Sequence, residues 1–263
     1  MRNVYLKEMK MNLKALLIWS LTVGLMGLCC ILLYKSMQGD MKNMADAFSN
    51  MGAFSDAFGM STLSIATLKG YFATEVGTVH SLGSAMFAAI VAINIISGEE
   101  EGHTGEFLYS LPVSRKSVLS AKALSVLSMT AAFTVICGIL YALGFAFMNE
   151  ELPVKEFMLF MGCQFVMNLE IGAVCFWISS ISGKNRMGLG IGIALIAYLF
   201  DIIGRVVPDL KDCLFVGPFS YANASEILSG QDIRTAGLIV AVVVTVLGIV
   251  AAYYFYDRRD LAA

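Results

Sequence analysis

Long apolar runs alternate along this chain with short polar ones. Apolar stretches cover residues 15–34, 80–97, 118–148, 157–181, 187–203 and 235–256. Each reaches the roughly 17 residues that a helix needs to cross the hydrocarbon of a bilayer. The pattern predicts an all-α membrane protein in which residues 1–263 form a single transmembrane domain of six transmembrane helices. A charged stretch separates the second and third runs, reading IISGEEEGHTGEFLYSLPVSRKSVLSAK over 95–122. Glu99, Glu100 and Glu101 cannot lie in hydrocarbon, where each carboxylate would cost about 3 kcal/mol, so the chain leaves the bilayer at Gly98. Over 104–111, Phe107, Leu108 and Leu111 recur at helical spacing and form one small greasy face. Pro112 ends that turn, because the residue before a proline is pushed out of the α region. Ser114 is placed to N-cap the long helix that follows. A short helix of this kind, lying across the end of a bundle, suits docking onto another protein.

The other polar segments are read the same way. Before the first run, Arg2, Lys7, Lys10 and Lys14 face only one acid, Glu8, and this basic collar places the N-terminus in the cytoplasm. The first run is long enough to span and the residues before it are polar, so no cleavable signal peptide is expected. Beyond the first span, Met37, Met41, Met44, Phe48, Met51, Phe54 and Phe58 are spaced by fours and threes. This predicts an outer amphipathic segment over 37–58, either packed on the bundle or forming a lid that meets an apolar substrate. His80 is expected at the outer mouth of the second span, solvated. Gly188 and Gly192 form a GxxxG pair that would let another helix come close. The outer loop 204–234 carries Leu214, Phe215, Val216, Phe219 and Tyr221, apolar enough for part of it to re-enter the membrane.

Cations sort by side under this scheme. Inner segments hold the N-terminal collar with Arg115, Lys116, Lys122, Lys184, Arg186, Arg258 and Arg259, while the longer outer segments hold fewer. Both termini are therefore expected in the cytoplasm. Composition agrees with a polytopic membrane protein. Hydrophobic residues make up 58% and charged ones 14%, against about a quarter charged in soluble domains, and the mean hydropathy is +0.75. The six cysteines include no CxxC pair, so they indicate neither a zinc site nor a disulfide framework. Nothing points to nucleic acid.

Catalytic chemistry is scarce. There is no GxxxxGK[ST] loop, and Gly183-Lys184 is followed by Asn185. LSGQD over 228–232 is a polar loop without a nucleotide fold around it. No HExxH or GxSxG motif occurs, and His80 and His103 are expected on opposite sides of the bilayer. Within the spans, Glu170 stands out, because a carboxylate at that depth faces a cavity, a partner or an internal hydrogen bond. Gln164, Asn168 and Asn94 join it as the intramembrane polar set, a cavity or a subunit seam. An intramembrane enzyme and a membrane-embedded immunity or binding protein are the rival classes to a transporter.

The stretch GEEEGHTGEFLYSLPVSRK resembles the cytoplasmic coupling segment of type-2 export permeases of the ATP-binding-cassette superfamily. The matching residues are Glu100, Glu101, Gly102, Thr104, Glu106, Phe107, Leu108, Leu111, Pro112, Ser114 and Arg115, next to Glu99; His103 departs from the pattern. VGPFSYANASEIL before the last span and the terminal RRDL extend the resemblance more loosely. It implies a coupling segment over 99–116, a cytoplasmic helix between spans two and three that meets separate cytoplasmic ATPase subunits. It also implies a second permease subunit, identical or similar, and a place in the plasma membrane among its lipids. ATP and Mg would be bound by the partner ATPase, leaving no cofactor in this chain.

Overall fold

The structure is a computed structural model that describes residues 1–49, 51–57, 60, 62–101, 114–184 and 186–258, with the backbone alone at 42, 43, 47–49, 53, 54, 99 and 100. The described residues are all helix, turn or loop. Six helices are long and apolar enough to cross a membrane, over Arg2–Met41, Leu68–Gly98, Arg115–Phe147, Val154–Ile181, Met187–Val206 and Thr235–Arg258. In chain order the elements are α1 (Arg2–Ser49), α2 (Ala53–Ala57), α3 (Leu68–Tyr71), a π-helical turn (Phe72–Val76) and α4 (Gly77–Glu101). They continue with α5 (Arg115–Phe147), α6 (Val154–Ile181), α7 (Met187–Val206), a 3₁₀ stretch (Pro208–Val216), α8 (Ala224–Leu228) and α9 (Thr235–Arg258).

The first helix is longer than its apolar run. At 48 residues, with a rise of about 1.5 Å per residue, α1 is roughly 72 Å long, far more than a bilayer needs. It carries the basic collar at one end and continues without a break through the residues expected to start a separate outer segment. Gly52, at φ 51°, then turns the chain into α2. Along the methionine seam, Met41 is buried, whereas Met37, Met44 and Met51 are exposed. Phe48, Phe54 and Phe58 lie outside the side chains described.

The second span begins at Leu68 rather than at residue 80. Thr67 caps it, its hydroxyl accepting from the Gly70 N–H at 3.1 Å. Helix α3, the π turn and α4 run on as one rod. Phe72 is fully buried in the π turn. Its ring centroid lies 5.4–6.1 Å from those of Tyr141, Phe145, Phe157 and Phe160. His80 therefore sits inside the bundle and not in solvent: it is fully buried, with Nδ1 3.1 Å from the Tyr141 hydroxyl. Lys69, Glu75 and Gly77 dilute the hydropathy of 68–79, although only the exposed Glu75 faces outward.

Helix α4 is the centre, touching α1, α5, α6 and α7. Close approach to α7 falls at Gly190, where a Cβ would come within 3.2 Å of the Ala89 carbonyl oxygen. The two glycines of the GxxxG pair face open space instead, with no atom of the chain within 4 Å of a Cβ at Gly188 or Gly192. The loop before α9 folds into the bundle. Phe219, Tyr221, Ala222, Ile227 and Leu228 are buried in the main core, while Phe215 and Val216 remain exposed.

Candidate functional site

Two polar regions are brought together by this packing, one at each end of the bundle, with a third set of polar contacts between them. The first surrounds the ends of the 99–116 segment. Glu99, Glu100 and Glu101 form the last turn of α4. Gly102, Thr104, Glu106, Phe107, Leu108, Leu111 and Pro112 lie outside the described residues, as does His103. The chain is described again at Ser114, whose hydroxyl accepts from the Ser117 N–H at 3.2 Å and caps α5 as expected. Arg115 opens that helix and donates from Nη1 to the Tyr256 carbonyl of α9 at 3.4 Å. Beside it, Lys116 and Asp257 are 3.9 Å apart.

The end of α4 is held from two sides. Ser179 of α6 donates to the Ile93 carbonyl at 2.6 Å and accepts from the Ser97 N–H at 3.1 Å. From the other side, Lys122 of α5 donates to the Ile95 carbonyl and, at 2.7 Å, to Oε1 of Glu8 on α1. Both side chains of this ion pair are buried. The 99–116 segment thus leaves and re-enters the bundle at helix ends pinned to α1, α6 and α9. The sequence reading counted Lys122 and Glu8 as inner charges and missed their pairing. A signal for it exists: Val118, Lys122, Ser125 and Met129 fall on one helical face, and all four are buried.

Gln164, Asn168 and Glu170 lie deeper in the bundle, whereas Asn94 is not brought to them: it sits on α4 between Ile93 and Ile95, at the pinned end just described. Gln164 Nε2 donates to Ser81 Oγ on α4 and to the Ala222 carbonyl, each at 2.7 Å. Glu170 accepts from the Tyr221 hydroxyl at 2.8 Å. Along α6 from its start at Val154, Gln164 lies about 15 Å in and Glu170 about 24 Å. The loop around Ala222 therefore reaches well down the bundle. Non-helical backbone at such depth is tolerated only where protein surrounds it and satisfies its polar groups. Gln164 supplies that for Ala222, and Glu170 anchors the adjacent tyrosine.

Asn168 is buried, and neither amide atom has a hydrogen-bond partner among the described residues; the same holds for His80 Nε2, Gln164 Oε1 and Asn94 Oδ1. Gln164 and Asn168 share the face of α6 that meets α4, whereas Glu170 turns to the loop. The described residues contain no cluster of three or more His, Cys, Asp or Glu side chains able to hold a metal. The adjoining cavity, between Gly77, Ser81, Tyr198, Asp201 and Asn223, is about 40 Å³. That is room for a water or two rather than a substrate.

The region at the far end of the bundle is a charge network that the sequence reading did not single out. Arg205 grips Asp201 with a two-pronged contact, Nε to Oδ2 at 2.8 Å and Nη2 to Oδ1 at 3.1 Å. Its Nη1 donates to Glu226 Oε1 at 2.6 Å, and Arg234 reaches the same oxygen at 3.3 Å. Asp201 and Arg205 are buried. An acid and an arginine four apart inside an apolar run were the available clue. The network ties α7 to α8 and to the start of α9, and so fixes both ends of the inserted loop. Comparison with known proteins finds no match among curated ones. A family profile described as "ABC-2 family transporter protein" matches residues 2–261.

Proposed function

The chain belongs to the ABC-2 family of transporter proteins, and from that premise we propose that it is the permease subunit of an ATP-driven exporter. It is a multi-pass membrane protein with six candidate spans, and permeases of this family pair with ATPase subunits. In the proposed complex, cytoplasmic ATP-binding-cassette ATPases hold ATP and Mg and hydrolyse it. They push on the 99–116 segment, whose greasy residues Phe107, Leu108 and Leu111 sit between acids and Arg115. The observation that carries this reading is the anchoring of the segment's ends. A push delivered there reaches α1 and α5 through the Glu8–Lys122 pair, α6 through Ser179 and α9 through Arg115. A loosely attached loop could not transmit force in this way.

A second permease subunit, identical or similar, has a face to occupy. Helix α7 leaves Gly188 and Gly192 open and exposes Leu195, Ile196, Leu199 and Ile203. Glu170, Asn168, Gln164 and Asn94 then belong to the moving interior, and the plasma membrane is the place of action, with both termini in the cytoplasm. The test is purification from native membranes in mild detergent. An ATPase subunit with a Walker-type nucleotide site should accompany the chain, and its hydrolysis should respond to the permease. Recovery of the chain without such a subunit, from membranes that contain one, would count against the proposal.

A further inference from the structure

We propose that the polar pocket at the far end of the bundle binds a small zwitterion, an ammonium with an anionic group a few bonds away. The pocket measures about 180 Å³, and a cavity of roughly 150 Å³ already seats a molecule the size of benzene. It forms where separate segments converge. Asp56 comes from α2, which packs on α7, and Thr62 from the loop that follows. Arg205 comes from α7, Lys211 from the 3₁₀ stretch, Glu226 from α8, and Arg234 from the residue ahead of α9. Buried Leu214 is the apolar member of the lining. Such a lining holds a polar ligand by its charges.

Charges of both signs remain open around this pocket. Arg205 is 7% exposed and uses three of its five N–H groups on Asp201 and Glu226. That grip fixes the guanidinium in place before any ligand arrives. Arg234 makes a single contact, to Glu226 at 3.3 Å. Lys211 and Asp56 are exposed, and among the described residues neither has an ion-pair or hydrogen-bond partner; the Thr62 hydroxyl has none either. Asp209 and Asp212, close to Lys211 in the chain, are exposed and do not line the pocket. An anion alone would sit beside the open carboxylate of Asp56. A cation alone would meet the Lys211 ammonium and two arginines. A molecule with both charges pairs its ammonium with Asp56 and its anionic group with Lys211 and the arginines, and the volume limits it to the size of an amino acid or a phosphoethanolamine.

This inference does not need ATPase coupling, so its failure would leave the permease reading standing. The test is isothermal titration calorimetry of the full chain, purified with its partners. The probes are O-phosphoethanolamine and β-alanine, with ethanolamine, acetate and inorganic phosphate as single-charge controls. The wild type should bind one of the zwitterions about tenfold more tightly than any control, the worth of one charge-assisted hydrogen bond. Asp56→Asn should remove that advantage and leave binding of the anionic controls unchanged. Lys211→Gln should weaken the zwitterion and the anions by about tenfold and leave ethanolamine unchanged. Both variants should melt with the wild type, because neither side chain holds another part of the fold. In nanodiscs, a titration blocked by phosphatidylethanolamine but not by phosphatidylglycerol would support the site with a lipid headgroup as its ligand. A titration untouched by either lipid would support it with a soluble zwitterion. Binding of neither zwitterion, binding no tighter than the controls, or affinities unchanged in both variants would overturn the proposal.

Discussion

Replacing Lys122 by Met removes a buried ammonium from between Glu8 and the Ile95 carbonyl. The shape is nearly kept, so the effect is electrostatic. With nitrogen and oxygen 2.7 Å apart, the attraction at an effective dielectric of 20 is on the order of 6 kcal/mol before desolvation. Desolvation of both ions offsets much of this when the pair is considered as a whole. Removing one partner leaves the Glu8 carboxylate buried without that ammonium, and such changes cost about 3–5 kcal/mol. The double variant Glu8→Leu/Lys122→Met removes both charges and should recover most of the loss, because apolar replacements of buried pairs are often neutral or stabilising by about 1–4 kcal/mol. The assay is thermal unfolding of wild type, both single variants and the double in one detergent, read as a double-mutant cycle. The expected coupling energy is at least about 2 kcal/mol. A Lys122→Met variant within about 0.5 kcal/mol of wild type, the usual range for surface changes, would refute the buried-pair argument. So would a double variant no more stable than the worse single one.

The inserted loop should depend on its two anchors: Gln164→Leu and Tyr221→Phe should each lower stability, by about 1–3 kcal/mol for an orphaned buried carbonyl or carboxylate, measured by thermal melts. Equal stability of both variants would show that the loop does not need the bundle. On the methionine seam, Met41→Asp should sharply reduce the yield of folded protein, whereas Met44→Asp should not, because Met41 is buried and Met44 is exposed. For topology, Cys213 is exposed in the far-end loop, and Cys29 is exposed only on the membrane-spanning part of α1. A membrane-impermeant thiol reagent on intact cells, with any outer layer stripped, should therefore label Cys213 alone; labelling only after the membrane is opened would reverse the orientation.

The sequence revealed the fold wherever apolar character was continuous. Helices α5, α6, α7 and α9 start within three residues of their apolar runs, α1 overruns its run at both ends, and the Ser114 cap was readable from its position ahead of an apolar helix. The second span was misjudged at its start because Lys69, Glu75 and His80 look like loop residues. In the folded chain, Lys69 sits at the helix mouth 3.9 Å from Glu156, Glu75 faces outward, and His80 finds Tyr141 across the bundle. Hydropathy counts a polar side chain as exposed, and it has no knowledge of a partner on another helix. The same blindness hid Lys122 with Glu8, separated by over a hundred positions, and Arg205 with Glu226. Gln164 was legible as an intramembrane polar residue, yet its purpose was not. That depends on the Ala222 carbonyl arriving from a loop 58 residues away. On the methionine seam, Met41 meets the bundle while Met37, Met44 and Met51 are exposed, a difference that a regular stripe in the sequence does not show.

Coupling through the 99–116 segment is the centre of the account, and one measurement addresses it directly. Phe107→Asp should be expressed in cells, purified in mild detergent, and compared with wild type and with Glu99→Gln for retained ATPase subunit and for export. A buried phenylalanine contributes about 1.5–3 kcal/mol, and a charge in its place adds the cost of desolvating an unpaired carboxylate. Exposed ion pairs contribute about 1 kcal/mol or less. The account predicts that Phe107→Asp inserts in the membrane, loses its ATPase partner and stops exporting, while Glu99→Gln keeps most of both. An inserted Phe107→Asp protein that still holds the ATPase and exports at the wild-type rate would contradict it.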